Sequence, residues 1–210
     1  MRPYYSQDGI EIYHGDCRDV EPGAVDFVLT DPPYGINWQP RVNHQDQQWR
    51  DDEQFNPARW LSMGREHVFW GANYYAQALP HSADWLSWIK RPIDMDFSGD
   101  KRSYATVELA WSDLGCRARF MCHVWDGGMR AGMGENRDFL HPAQKPVELM
   151  LWCLGLSKTR GLVFDPFMGS GTTLVAAKRM GRKAIGVERV EQYCEIAAKR
   201  FAQGVLDLAI

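Results

Sequence analysis

Short apolar runs alternate with longer amphipathic ones along this chain, the pattern of strands and helices in an α/β domain. Val25-Asp26-Phe27-Val28-Leu29-Thr30 reads as a strand stopped by Pro32 and Pro33, which cannot continue a hydrogen-bonded ladder. Residues 67–71, 84–89 and 104–111 have the same β-rich character, and 161–165 and 183–188 read as short buried strands. Helical spacing covers 172–180 and 190–201, with basic residues on the outer face. A further apolar-faced helix, 147–156, starts after Pro146, a favoured first-turn residue. Two stretches fit neither period: 37–56, polar and rich in Gln and Asp, and 127–139, rich in Gly, Met and Arg. Both are expected to be long loops, the segments that most often carry function in a compact domain.

The length of 210 residues, 45% of them hydrophobic, suits a single domain spanning 1–210. The longest nearly unbroken apolar run, 149–156, is too short to span a bilayer, so no membrane partner is expected. The start, Met-Arg-Pro-Tyr-Tyr-Ser-Gln-Asp, lacks the apolar stretch of a secretory signal. Cys17, Cys116, Cys122, Cys153 and Cys194 are odd in number and form no Cys-x-x-Cys. Neither a metal site nor a disulfide framework is expected, and a reducing cytoplasm is the expected location. Net charge is −3, but unevenly spread: residues 1–60 carry 5 basic and 11 acidic side chains, residues 145–210 carry 10 and 6. A polyanion would have to be gripped by a local patch rather than by a global field.

Two corners carry candidate chemistry. Phe164-Asp165-Pro166-Phe167-Met168-Gly169-Ser170-Gly171-Thr172-Thr173 lies between a predicted strand and helix, where Gly169 and Gly171 permit a sharp turn with amides close to a ligand. Glu188, at the end of the next strand, can accept hydrogen bonds from a ribose diol. Thr172 stands where a phosphate loop would carry Lys, and a dinucleotide fold's third glycine is missing. Asp165 would repel a pyrophosphate and attract an ammonium or sulfonium. S-adenosylmethionine (SAM) has both cations and no phosphate and fits best; a tight turn without a ligand is the alternative.

The other corner is Thr30-Asp31-Pro32-Pro33-Tyr34-Gly35, directly after a buried strand, at the end where open α/β sheets bind ligands. The lone pair of a nucleobase amine is delocalised into its ring, which makes it a poor nucleophile. Asp31 and the Pro32 carbonyl can accept its two N–H hydrogens and favour a pyramidal nitrogen. Tyr34 can stack on an extruded base. A stiff strand exit with a solvated Asp is the bland alternative.

These motifs resemble the amino-methylating DNA methyltransferases: Asp-Pro-Pro-Tyr, then His141-Pro142-Ala143-Gln144-Lys145-Pro146, then Asp-Pro-Phe-x-Gly-Ser-Gly-Thr-Thr. The order, catalytic before cofactor motif, is similar to that family's β class, and the likeness runs from Gly15-Asp16-Cys17 through Phe201. The resemblance implies a circularly permuted, Rossmann-like SAM-dependent methyltransferase with a mostly parallel, doubly wound sheet. Its catalytic half would be 1–140 and its cofactor half 141–210. It implies Asp31, Pro32, Pro33 and Tyr34 as catalytic, Asp31 also facing the cofactor. Asp16 would touch the cofactor adenine, and His141 and Lys145 would flank its methionine end beside Asp165, Pro166, Phe167, Gly169, Ser170, Gly171, Thr172 and Glu188. Asp at position 31 favours adenine N6 in double-stranded DNA, with cytosine N4 as runner-up and a catalytically idle SAM- or DNA-binding module as the third reading.

No large separate target-recognition domain fits in the length. The candidates to contact DNA are Arg41 and Arg50 in the first unassigned stretch and Arg117, Arg119 and Arg130 in the stretch 117–137. Arginine reads guanine or holds phosphate equally well. The short recognition region leaves a compact target, a partner subunit such as a second copy, or relaxed specificity open, and a restriction partner undetermined.

Overall fold

The computed structural model describes residues 1–37, 54–90, 106–126, 129–130 and 144–203. Among these, nine strands form one sheet: β1 (Tyr5–Gln7), β2 (Ile10–His14), β3 (Phe27–Thr30), β4 (Glu66–Trp70), β5 (Asp84–Ile89), β6 (Val107–Ser112), β7 (Arg119–Cys122), β10 (Val163–Asp165) and β11 (Ala184–Glu188). Their order is β1-β2-β11-β10-β3-β4-β6-β5-β7, and a separate small hairpin joins β8 (Trp125–Asp126) to β9 (Met129–Arg130). β2, β11, β10, β3 and β4 run parallel in succession, while β6 is antiparallel to both of its neighbours, β4 and β5.

The helices are α1 (Ala58–Leu61), α2 (Val147–Leu156), α3 (Thr172–Arg179) and α4 (Glu191–Gln203). Alternation along β3 sends Phe27 and Leu29 to the face covered by α2, α3 and α4, where they meet Leu149, Leu154, Leu174, Ala197 and Phe201. Val28 points the other way and joins Phe55, Trp60, Phe69, Tyr75 and Phe164. Covered on both faces, β3 and β4 are buried at every position, so Phe27–Leu29 and Val68–Trp70 are apolar without alternation, while the buried Glu66 and His67 are hydrogen-bonded to Ser157 and Asp113. No helix among the described residues is long and apolar enough to cross a membrane.

Strands and helices stand close to where the periodicity predicts them, and α2 and β5 match to the residue. The β1–β2 hairpin, α1, β7 and the small β8–β9 hairpin, whose second strand falls inside the expected loop 127–139, escape that reading. The β1–β2 hairpin turns at Asp8 and Gly9, both with positive φ, and Asp-Gly is itself a hairpin signal. β7 falls inside a stretch weighed only for DNA contacts; it extends the sheet beside β5.

The expected division into halves 1–140 and 141–210 is not a division in space. β1 and β2, from the N-terminus, attach to β11 of the cofactor half, and β3 lies against β10. From β10 the chain crosses through α3 to β11 on one side, whereas from β3 it proceeds to β4 on the other. The carboxyl ends of β10 and β3 therefore flank the switch point of the sheet, where a crevice opens and ligands bind.

Candidate active site

Both corners open at that switch point. Asp31 follows the last residue of β3, and Asp165 is the last residue of the adjacent β10. They are joined through Thr30, whose hydroxyl donates to Asp165 Oδ1 at 2.7 Å. The carboxyl ends of β2 and β11 lie along the same rim, where the Gly15 amide donates to the Glu188 carbonyl at 3.0 Å. Asp16, Glu188, Asp165 and Asp31 thus share one edge.

At the glycine corner, Gly169 (φ 50°) and Gly171 (φ 80°) adopt left-handed backbone that costs a side-chain-bearing residue about 1–2 kcal/mol. A Cβ at Gly171 would also come within 2.9 Å of the Ala197 Cβ of α4. Glu188 Oε2 accepts the Gly169 amide at 3.1 Å and Oε1 accepts the Val190 amide at 2.8 Å. This carboxylate therefore ties the turn to the end of β11, and burial raises its pKa. Arg200 of α4, which the sequence reading did not single out, donates to the Ser170 carbonyl at 2.7 Å and braces the turn from behind. Ser170 and Thr172 are buried, and the Phe167 ring packs edge-on against Phe55 and Trp60. The turn from Pro166 to Thr173 carries no basic side chain, so its chemistry suits a ligand without phosphate.

Asp165 departs from expectation. Rather than facing outward to attract a cation, it is 2% exposed and lies beneath the turn. It accepts the Thr30 hydroxyl and the Phe167 amide (3.1 Å), with the Thr173 hydroxyl a further partner. Burial raises its pKa to about 6 against these hydrogen bonds. Folding therefore favours the neutral acid: its contribution is most favourable below about pH 3.8 and is lost as pH rises to about 6, a change on the order of 2–3 kcal/mol. Asp165→Asn keeps an acceptor for the Thr30 and Phe167 donors and cannot ionise. Urea unfolding should show the variant gaining 2–3 kcal/mol on wild type, to order of magnitude, between pH 4 and pH 7.

Asp16 caps the short helical turn Cys17–Asp19 and pairs with Arg18 (Nη2 to Oδ2, 2.6 Å). The hydrogen bond from Arg18 outweighs partial burial and holds its carboxyl at about 2, so it stays ionised at the rim.

The proline corner is more densely charged. Asp31 Oδ1 accepts the Tyr34 hydroxyl at 2.5 Å, and Oδ2 accepts the Lys145 ammonium at 2.5 Å. Lys145 Nζ also lies 3.1 Å from Glu108 Oε2, and Lys90 Nζ donates to Glu108 Oε1 at 2.7 Å. Lys145, expected to flank the methionine end of a cofactor, thus enters the catalytic corner with its charge already shared between two carboxylates. In the described structure its ammonium is held by Asp31 and Glu108. Glu108 and Lys90 are part of this corner as well. The signal was present in the sequence: an acid inside an otherwise apolar strand, Val107-Glu108-Leu109-Ala110-Trp111.

Tyr34 is held tightly. Its ring stacks on Tyr74 (centroids 5.0 Å apart, 17° between planes), and Gly71, with φ 69°, gives it room at the end of β4. Of the residues expected to contact DNA, Arg41 and Arg50 lie outside the described residues, as does His141, and Arg130 contributes backbone to β9. Arg117 is at the opposite rim: its amide bonds the Asp84 carboxylate at the amino end of β5, away from Asp31. Arg119, two residues on, pairs in register with Leu86 and bonds the Cys116 carbonyl, also toward that far end. Neither belongs to the catalytic edge, because the β6–β7 connection turns below the sheet.

An open α/β sheet with two acidic corners at its switch point, the proline corner first in sequence, is a Rossmann-like arrangement. The family model N6_N4_Mtase, described as DNA methylase, matches residues 114–199. The type II methyltransferase M2.LlaDCHI of Lactococcus lactis subsp. cremoris is 25% identical over 263 residues, covering 97% of this chain and 93% of that protein. M2.DpnII of Streptococcus pneumoniae is 25% identical over 248 residues, covering 95% and 92%. Among solved structures, the M1.HpyAVI–SAM complex superposes with a TM-score of 0.57 at 24% identity, over 91% of this chain and 99% of that one. The cytosine-N4-specific PvuII DNA methyltransferase gives 0.61 at 18%, over 95% and 88%. The family-model match and these relatives support a likeness of the chain to the N6/N4 DNA methyltransferases.

Proposed function

We propose that this protein transfers a methyl group from SAM to the exocyclic N6 of adenine in double-stranded DNA. The observation that supports the reading most is the parallel pairing of β3 with β10, which brings the proline and glycine corners to one crevice although more than half the chain separates them. Donor and acceptor held side by side replace a bimolecular encounter with an oriented one.

SAM suits the residues present. The left-handed glycines leave a close-approach cradle, Glu188 and Asp16 offer carboxylates for ribose and adenine donors, and the turn lacks the cation a phosphate would need. SAM is the ligand in the structurally similar M1.HpyAVI complex. When bound it supplies a methyl carried on a sulfonium, whose sulfur keeps the bonding electron pair. The protein's part is to prepare the amine. Asp31 and the Pro32 carbonyl accept its two N–H groups, directing the lone pair outward, and Asp31 takes the proton that the nitrogen must lose. The Asp31 side chain is 19% accessible at this edge. The Tyr34–Tyr74 pair offers an aromatic surface for a base turned out of the duplex.

Asp at position 31 favours adenine; the fold likeness to a cytosine-N4 enzyme supports the second reading. Incubation with methyl-labelled SAM and unmodified duplex DNA of mixed sequence, followed by digestion to nucleosides, distinguishes them. N6-methylated deoxyadenosine is the expected product. N4-methylated deoxycytidine would move the target to cytosine, and SAM binding without transfer would make the protein a binding module.

A further inference from the structure

The proline corner contains more charge than amine capture requires. Four ionic side chains alternate in sign through the interior: Lys90, Glu108, Lys145 and Asp31, linked at 2.7, 3.1 and 2.5 Å. They come from four separate regions, just past β5, the start of β6, the lead into α2 and just past β3, so the array exists only in the folded chain. Burying ionic groups is costly unless each is paired, and nothing about packing α2 on the sheet requires a lysine here.

Lys145 Nζ donates to Asp31 Oδ2 and, at 3.4 Å, to the Tyr34 hydroxyl oxygen, and it meets Glu108 Oε2 at 3.1 Å as an ion pair rather than a hydrogen bond. Glu108 lies between two ammonium groups, and Lys90 also sits 5.2 Å above the Trp88 ring. The Lys145 side chain is the least exposed of the four, at 9% against 18–20% for Lys90, Glu108 and Asp31.

We propose that Lys145 and Glu108 are positioning residues for methyl transfer: the ammonium clamps Asp31 Oδ2 so that the carboxylate presents its remaining lone pairs to the incoming amine, and Glu108 holds the ammonium in that clamp. The inference rests on the reading of Asp31 as the amine acceptor. Tyr34 fixes the other oxygen, so the carboxylate plane is set from two sides. Neither positioning residue takes the amine proton; both act through Asp31.

Electrostatics give this role a signature. Among the described residues, the ionisable groups that act on Asp31 or are acted on by it are Lys145, Glu108, Tyr34, Tyr75 and Asp165. Burial raises the Asp31 pKa, Lys145 lowers it and Glu108 raises it. For Glu108, burial alone would raise the pKa, but Lys145 and Lys90 outweigh it and hold the carboxyl at about 2. Both groups are therefore ionised at neutral pH and influence Asp31 with opposite sign. Removing the Lys145 cation should raise the Asp31 pKa; removing the Glu108 anion should lower it.

The test is the pH profile of kcat/KM for duplex DNA, which reports the free enzyme. Wild type is measured first with methyl-labelled SAM; failure to methylate any DNA amine would defeat the functional reading itself, independently of this proposal. Given activity, Lys145→Met should move the acid limb upward by about 1 pH unit or more. Its rate at pH 7 should fall by about 10²-fold and partly recover at higher pH. Glu108→Gln, nearly isosteric, should move the limb downward. SAM affinity, measured by calorimetry, should stay within about twofold in both variants, against the tenfold that 1.4 kcal/mol of lost contact would produce. Unmoved limbs in both variants, or shifts of the same sign, would overturn the proposal. So would a tenfold loss of SAM affinity in Lys145→Met with its limb unmoved, which would return this lysine to the cofactor. If Lys145→Met does not give the wild-type near-UV circular dichroism, the sign of the Glu108→Gln shift decides alone.

Discussion

Asp31→Ala is expected to lower methyl transfer by about 10³-fold while SAM affinity stays within a few fold. The separation follows from the rim. Asp31 accepts donors from Tyr34 and Lys145 on the β3 side, whereas the glycine turn is held by Glu188, Asp165 and Arg200 on the β10–β11 side. Without the carboxylate the amine loses both its hydrogen-bond acceptor and its proton acceptor. Lys145 retains Glu108, so no buried cation is left unpaired and the fold should survive. Single-turnover transfer of label to DNA, alongside SAM titration by calorimetry, measures the two quantities separately. Near wild-type transfer by a folded Asp31→Ala variant would remove the proline corner from the mechanism.

Gly71→Ala should be nearly as damaging, although residue 71 carries no chemistry. Its φ of 69° is strained for any side-chain-bearing residue, and an added Cβ would come within 1.9 Å of Tyr34 Cε1. No rotamer change in alanine relieves that overlap, so Tyr34 must move. Its movement disturbs the hydrogen bond to Asp31 and the stack on Tyr74 together. Transfer should fall by about 10²-fold, the usual consequence of an ångström-scale misplacement at a reacting centre. The strain and overpacking should cost about 2–4 kcal/mol in stability. SAM binding, on the far side of Thr30, should persist. An alanine variant with wild-type kcat would show that Tyr34 can be displaced without consequence.

How much of this was legible beforehand differs from residue to residue. The Asp-Pro-Pro-Tyr and Gly-Ser-Gly corners announce themselves, because their conformations demand proline and glycine at particular places, and local sterics is written in local sequence. The apolar centres of the buried strands β3, β4 and β10 are equally plain, since burial on both faces favours consecutive apolar residues such as Phe27–Leu29, Val68–Trp70 and Val163–Phe164. Gly71 gave no such sign. Its requirement comes from a tyrosine 37 positions earlier in the chain, and nothing around residue 71 records that neighbour.

Charged residues were hardest to place. Lys145 belongs by sequence to the lead into α2, and Glu108 to a strand that could equally have faced solvent. Asp165 reads as an outward acid and proves to be an inward brace. In each case the direction of the side chain depends on which strand lies alongside.

By itself the amino-acid order determined the alternation of strands and helices, the two corners and their shared need for carboxylates, because these follow from covalent geometry, periodicity and the chemistry of single residues. The tertiary structure alone decided that β3 lies against β10, that Lys145 reaches Asp31, and that Arg117 points away from the catalytic edge. Those outcomes depend on contacts between segments far apart in the chain, whose free energy comes from burial and charge pairing that no local stretch contains.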